Sequence, residues 1–163
     1  MKKVAVIMGS DSDLSVMMDA VEKLKHFGIP YEVHVISAHR TPAAAEQFAS
    51  SAADNGFGVI IAGAGKAAHL GGVLAAYTTL PVIGVPIKTS MMGGLDSLLS
   101  IVQMPSGIPV ATVGVNGAAN AGILAAQMLS LEDPSLVEKL SAFKEDMAQS
   151  VAKKDAKIQS KVY

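Results

Sequence analysis

Residues Lys3-Val4-Ala5-Val6-Ile7-Met8-Gly9-Ser10-Asp11-Ser12-Asp13 form an apolar, β-branched run that stops at a glycine and passes into a polar turn. The apolar positions that follow, Leu14, Met17, Met18, Val21 and Leu24, are three or four apart, and Gly28 ends them. A strand, a turn and an amphipathic helix thus stand in immediate succession. The unit recurs along the chain. Residues 3–8, 31–36, 58–62, 81–85 and 109–113 are short apolar runs ending in Gly, Ser or Pro signals, and they read as five strands. Thr41-Pro42 reads as a helix cap followed by proline at the first helical position, with Gly56 as the stop. Helices are also expected over 67–78, 96–103 and 118–131, the second of these reached through a loop at 88–95 that reads as mobile or as covered by a neighbouring subunit. Asp133-Pro134 caps a last helix whose apolar stripe is Leu136, Leu140, Phe143, Met147 and Val151.

Strands buried on both faces and alternating with helices predict a parallel sheet covered on either side. Right-handed crossovers make it doubly wound. The expected fold class is α/β, a three-layer αβα sandwich with five parallel strands in the flavodoxin-like order 2-1-3-4-5. Residues 1–163 read as one domain, with a core over 1–131 and a C-terminal helical extension over 132–163.

Composition narrows the function classes. The 163 residues are 50% hydrophobic and only 17% charged, against about 25% charged in an average soluble protein. A formal net charge of −1 gives no electrostatic case for a nucleic-acid or membrane-surface binder. Without cysteine there are no disulfides, thiolate metal sites or cysteine nucleophile. No apolar run approaches the roughly 18 residues of a membrane span, and the run before the Gly-Ser-Asp turn is too short for a secretory signal. A cytoplasmic protein is expected. Alanine occurs 25 times while aromatics are 4%, so helices approach closely but bury little area each. So few charges leave apolar surface that predicts a homo-oligomer.

In an open parallel sheet, ligands sit beyond the carboxyl ends of the strands, where strand order reverses. The polar residues collect there. The first strand delivers Gly9, Ser10, Ser12 and Asp13, either a helix cap or an anion site at a helix start, with Asp13 suited to sugar hydroxyls. The second delivers Ser37-Ala38-His39-Arg40-Thr41-Pro42. Arg40 is the chain's one arginine. It fits a bidentate grip on phosphate or carboxylate, and equally a surface salt bridge. His39 reads as a proton donor and acceptor or as a structural histidine, a role that His26 and His34 fit better. The third strand delivers Ala62-Gly63-Ala64-Gly65 and then Lys66-Ala67-Ala68-His69-Leu70, a small-residue floor where backbone and ligand can come close. The glycines lack the spacing of a dinucleotide fingerprint. Two candidate histidines without a carboxylate cluster make no metal site.

Gly9-Ser10-x-Ser12-Asp13, Ser37 to Pro42, Ala62 to Gly65 with Ala68-His69-Leu70, and Asp96 to Pro105 together resemble the 5-(carboxyamino)imidazole ribonucleotide mutases of purine biosynthesis. The likeness runs to about Leu131. It implies an octamer and an isomerase that uses neither metal nor organic cofactor. A carboxylate would move from the exocyclic nitrogen of the aminoimidazole ribonucleotide to ring carbon four. By the same likeness, His39 is the acid–base catalyst, Ser10, Ser12 and Ser37 face the phosphate, Asp13 faces the ribose, and Arg40 helps hold the anion. The chain departs from the family pattern at Gly71, usually proline, which puts the shape of the pocket wall in question. It departs again at Lys66, usually glycine, whose cation either aids binding or points to solvent.

Three other readings compete. A related branch carboxylates the aminoimidazole ribonucleotide directly with carbon dioxide; it carries lysine after Ser-Ala-His, so Arg40 favours the mutase. A non-catalytic flavodoxin-like or receiver module would want loop aromatics or an aspartate ending the third strand, and neither is present. A purely structural subunit leaves the clustering of His39, Arg40 and the Ser10 turn unexplained.

Overall fold

The computed structural model describes residues 1–161. Five strands, β1 (Lys3–Met8), β2 (Tyr31–Val35), β3 (Phe57–Ala64), β4 (Val82–Pro86) and β5 (Ala111–Thr112), pair in parallel in the order β2-β1-β3-β4-β5. The expected doubly wound topology is therefore the observed one. Side chains alternate across the sheet, as the two-residue period of a strand requires. Val4, Val6 and Met8 of β1 face one core with α1 (Leu14–Phe27), α5 (Ala118–Leu129) and the start of α6 (Pro134–Gln159). Ala5 and Ile7 face the other, built with α2 (Pro42–Ser51), α3 (Leu70–Tyr77) and α4 (Leu95–Val102). No helix among the described residues is long and apolar enough to cross a membrane.

Several boundaries differ from the sequence reading, each for a local reason. Strand β3 runs to Ala64 because it is the central strand, paired with β1 up to Gly63 and with β4 up to Pro86. Gly63 and Ala64 are thus strand residues, and the ligand-facing turn begins at Gly65. At the far edge β5 shrinks to two residues. Pro109 cannot donate to the ladder, and only one side of an edge strand is paired. Strand β2 is not buried on both faces, since Val33 and Val35 are 39% and 57% exposed at the opposite edge. Helix α3 starts at Leu70 rather than at residue 67, since residues 65–69 form a turn in which Lys66 is left-handed (φ 57°) and the His69 N–H donates to the Ala67 carbonyl at 2.9 Å.

Two caps were also expected. Asp133 caps α6, its carboxylate accepting from the Ser135 N–H at 3.1 Å. Thr41 does not cap α2. Its hydroxyl turns back to Ser37, donating to the Ser37 carbonyl at 2.9 Å and accepting from the Ser37 N–H at 3.0 Å. The apolar stripe of α6 is only half used. Leu136 is buried, and Leu140 and Phe143 pack on the core, while Met147 and Val151 are 47% and 63% exposed.

Helices α1 and α5 approach backbone to backbone at Gly122. A methyl group there would lie 2.8 Å from the Ala20 carbonyl oxygen, a contact that a rigid helix backbone cannot relieve by turning a side chain. Gly122→Ala is expected to destabilise the fold by about 1–3 kcal/mol, lowering the melting temperature by roughly 2–4 °C per kcal/mol. Gly114→Ala, at a position with nothing within 4 Å, is expected to melt with the parent. Thermal melts of the two variants side by side check this.

Candidate active site

The carboxyl ends of β1, β2, β3 and β4 open onto one cavity of about 600 Å³. It sits where strand order reverses, between the loops leaving β1 and β3. Every expected site residue lines it: Gly9, Ser10, Ser12 and Asp13 from the first loop, Ser37, Ala38, His39 and Arg40 from the second, and Ala64, Gly65, His69 and Leu70 from the third. His26 lies elsewhere, edge-on to Phe27 and Phe143, and His34 stacks near Phe48 and bonds Glu32 at 3.2 Å. Both are structural.

The first loop is a 3-10 turn over Asp11–Asp13. Ser10 caps it, its hydroxyl oxygen accepting from the Ser12 N–H at 3.3 Å, and the two hydroxyls lie 2.9 Å apart. The capping role is therefore real, and it is what aligns Ser10 and Ser12 on the cavity wall. Asp13 does no capping. Burial pushes its carboxyl above its ordinary value, the Ser12 hydroxyl opposes that shift, and the neighbouring Asp11 adds to it.

The second loop is tied to the first through Arg40. Its Nη2 donates to the Gly9 carbonyl at 3.0 Å, while its backbone N–H donates to the Ser37 hydroxyl at 3.2 Å. Arg40 makes no ion pair among the described residues, so the surface-salt-bridge reading fails. The guanidinium is held by one edge and keeps further donors for a ligand. His39 meets His69 from the third loop: Nε2 of His39 lies 2.8 Å from Nδ1 of His69, with the rings edge to face at 82°. One nitrogen donates and the other accepts, so the pair shares a proton between two loops.

Sequence reasoning passed over Ile87, Lys88, Thr89 and Ser90, which follow β4 and close the cavity. Lys88, Thr89 and Ser90 begin the 88–95 loop expected to be mobile or covered by a neighbour. The same strand-end rule reaches them, since Pro86-Ile87-Lys88 leaves the carboxyl edge of the sheet. Asn116 fixes this segment, accepting from the Lys88 N–H at 2.8 Å, and the Thr89 hydroxyl donates to Asp96 at 2.8 Å. Lys66 and Ala67 also line the cavity. Gly71 and Gly72 do not; they belong to the first turn of α3, where a methyl group on Gly72 would come within 3.0 Å of Met104.

A family model described as AIR carboxylase matches residues 3–150. The N5-carboxyaminoimidazole ribonucleotide mutase of Pyrococcus abyssi is 60% identical over 147 residues, covering 90% of this chain and 84% of its own. That of Thermotoga maritima is 55% identical over 159 residues, covering 98% and 93%. The crystal structure of PurE from Treponema denticola superposes with a TM-score of 0.86 at 29% identity, covering 94% of this chain and 96% of that one.

The raised Asp13 carboxyl makes a prediction about stability. A carboxyl titrating higher in the fold than in the unfolded chain favours folding while protonated, and that contribution is lost as pH rises through the folded value. Ionised Asp13 therefore weakens the fold at neutral pH. Asp13→Asn is expected to melt above the parent at pH 7, and the difference is expected to vanish below about pH 4, where the ordinary carboxylate protonates. Melting curves across pH check it; a difference that persists at low pH contradicts the burial explanation.

Proposed function

The chain belongs to the AIR carboxylase family, and we infer from that membership that it is an isomerase acting on a small ribonucleotide in purine biosynthesis. It moves the carboxylate of 5-(carboxyamino)imidazole ribonucleotide from the exocyclic nitrogen to ring carbon four, the activity carried in the names of its relatives. Those names also favour the mutase over direct carboxylation with free carbon dioxide. The observation that carries the assignment of residues is the meeting of the His39–His69 pair with the Ser10–Asp13 turn in one cavity.

In this reading the phosphate takes hydrogen bonds from Ser10, Ser12 and Ser37 and charge from Arg40. Asp13 accepts from the ribose hydroxyls. Gly9 and Ala38 leave room for the nucleotide, and Ala64, Gly65 and Leu70 wall the heterocycle. A cavity of about 600 Å³ suits a ligand of this size. The bond from the exocyclic nitrogen to the carboxyl carbon breaks, releasing carbon dioxide, and His39 gives a proton to the departing amine. Enclosure holds the carbon dioxide against the electron-rich ring. Ring carbon four then attacks it, forming the new carbon–carbon bond. The proton displaced from carbon four returns to His39 as aromaticity is restored.

One carbon dioxide and one proton leave and re-enter, and His39 ends as it began. The balance calls for no electron carrier, so we read the reaction as independent of metal and organic cofactor. His69 holds the His39 ring in place and shares its proton.

We propose further that the chain works as a homo-oligomer, an octamer as the resemblance implies, in the cytoplasm. Met91, Met92, Leu95, Leu99 and Val102, all 43–88% exposed and continuous with the cavity-lining segment, support a covered surface there. Residues 1–163 are read as one domain, with 132–163 an extension of its core.

His39→Asn is expected to bind the ribonucleotide as the parent does and to lose about 10²–10⁴-fold in turnover. The assay supplies the nitrogen-carboxylated ribonucleotide and follows appearance of the carbon-carboxylated isomer, with calorimetric titration for affinity. Near-parental turnover removes His39 from the chemistry. Faster product formation from aminoimidazole ribonucleotide and bicarbonate than from the carbamate would reassign the enzyme as a carboxylase.

A further inference from the structure

Among the described residues only Lys66 and Asn116 combine a side chain with a left-handed backbone, at φ 57° and 56°. Asparagine visits that region readily, because its short amide can bond locally. Asn116 does so, accepting from the Lys88 N–H at 2.8 Å while its own N–H donates to the Pro86 carbonyl at 2.8 Å. Lysine has no such compensation. The Lys66 ammonium makes no hydrogen bond or ion pair among the described residues, yet the residue lines the cavity. Only its carbonyl is tied, by the Ser100 hydroxyl of α4 at 3.4 Å. A glycine would meet the backbone requirement without strain. What the lysine adds is a cation.

The placement of that cation is specific. Arg40 stands with Ser10, Ser12 and Ser37 on the side of the first two loops, where the reading above seats the phosphate. Lys66 stands on the third loop, three residues before His69, and His69 bonds the His39 imidazole at 2.8 Å. The cavity wall carries three cations, Arg40, Lys66 and Lys88, against the one carboxylate of Asp13. A phosphate alone engages the Arg40 side and leaves the third-loop cation unmatched. A ligand with a second anionic group on its heterocycle matches both.

We propose that Lys66 is a specificity-determining residue, its ammonium holding the carboxylate of the ribonucleotide beside the His39–His69 pair. This rests on the mutase reading and deepens it, since the enzyme then distinguishes carboxylated from decarboxylated ribonucleotide by a contact separate from phosphate and ribose. An ammonium binds an ionised carboxylate more strongly than a neutral donor does.

The test titrates the full chain with two ligands that share phosphate and ribose, the carbon-carboxylated aminoimidazole ribonucleotide and its decarboxylated counterpart. The parent is expected to prefer the carboxylated ligand. Lys66→Gly and Lys66→Met are expected to lose about tenfold in affinity for it and nothing for the decarboxylated one, and Lys66→Arg to retain the preference. Lys66→Gly, relieved of its left-handed β-carbon, is expected to melt no lower than the parent. Equal losses for both ligands, an undiminished preference in the glycine and methionine variants, or a preference that disappears instead in Lys88→Met overturns the proposal while leaving the mutase reading intact. A parent chain that binds neither ribonucleotide overturns both.

Discussion

Strand β1 pairs with β2 on one side and β3 on the other, and the site depends on that double pairing. Loops leaving β2 and β3 can meet only over the end of the strand between them. The Gly9 N–H donates to the Gly63 carbonyl at 3.2 Å, and the Gly9 carbonyl accepts from Arg40 at 3.0 Å. One peptide neighbourhood thus joins the first two loops to the end of β3. Parallel ladders force every one of these loops to the same edge of the sheet, and the reversal of strand order splays the connections apart, leaving a crevice. Above Gly9 the loops of β2 and β3 bring His39 and His69 to 2.8 Å, across a separation of 30 residues.

Small side chains determine how tightly the layers close on that sheet. Ala118, Ala121, Ala125 and Ala126 are wholly buried on α5, and Gly122 meets α1 directly. On the other layer Gly84 lets α4 come down on β4, where a methyl group would collide with the Ile101 side chain. Ser97, the one buried polar side chain among the described residues, anchors the same helix by placing its hydroxyl 2.8 Å from the Ile87 carbonyl. Since Ile87 begins the cavity-lining segment, the packing of α4 and the shape of the site are mechanically joined. The cost of building with alanine is area: large apolar residues such as Met91 and Leu131, each 88% exposed, stay uncovered on the single chain.

Charge is sparse in this protein, and on the cavity wall three cations, Arg40, Lys66 and Lys88, stand against the one carboxylate of Asp13. Arg40 is tethered to a carbonyl and a hydroxyl instead of a carboxylate, and Lys66 is unpaired among the described residues, in a backbone conformation that disfavours it. Cations kept out of ion pairs retain their attraction for a ligand, because no resident anion must first be displaced. Asp13 is the exception on the wall, and its raised titration reflects the burial that places it there.

Local chemistry determined much of this in advance. Apolar runs, glycine stops and the Pro42 helix start follow from side-chain volume, period and backbone freedom, so the strand–helix rhythm and the parallel sheet are legible residue by residue. The cavity-lining residues of the first three loops were legible too, because strand ends in such a sheet have a predictable address. Tertiary structure decided the rest. The length of β3 came from having partners on both sides, and the exposure of Val33 and Val35 from β2 lying at an edge. Thr41 gave up its cap because Ser37 lay within reach. The bond between His39 and His69, the left-handed turn at Lys66 and the entry of Ile87 to Ser90 into the cavity are relations between segments far apart in the chain. Such distances exist only once the sheet has closed, since no local propensity encodes which loops will face one another.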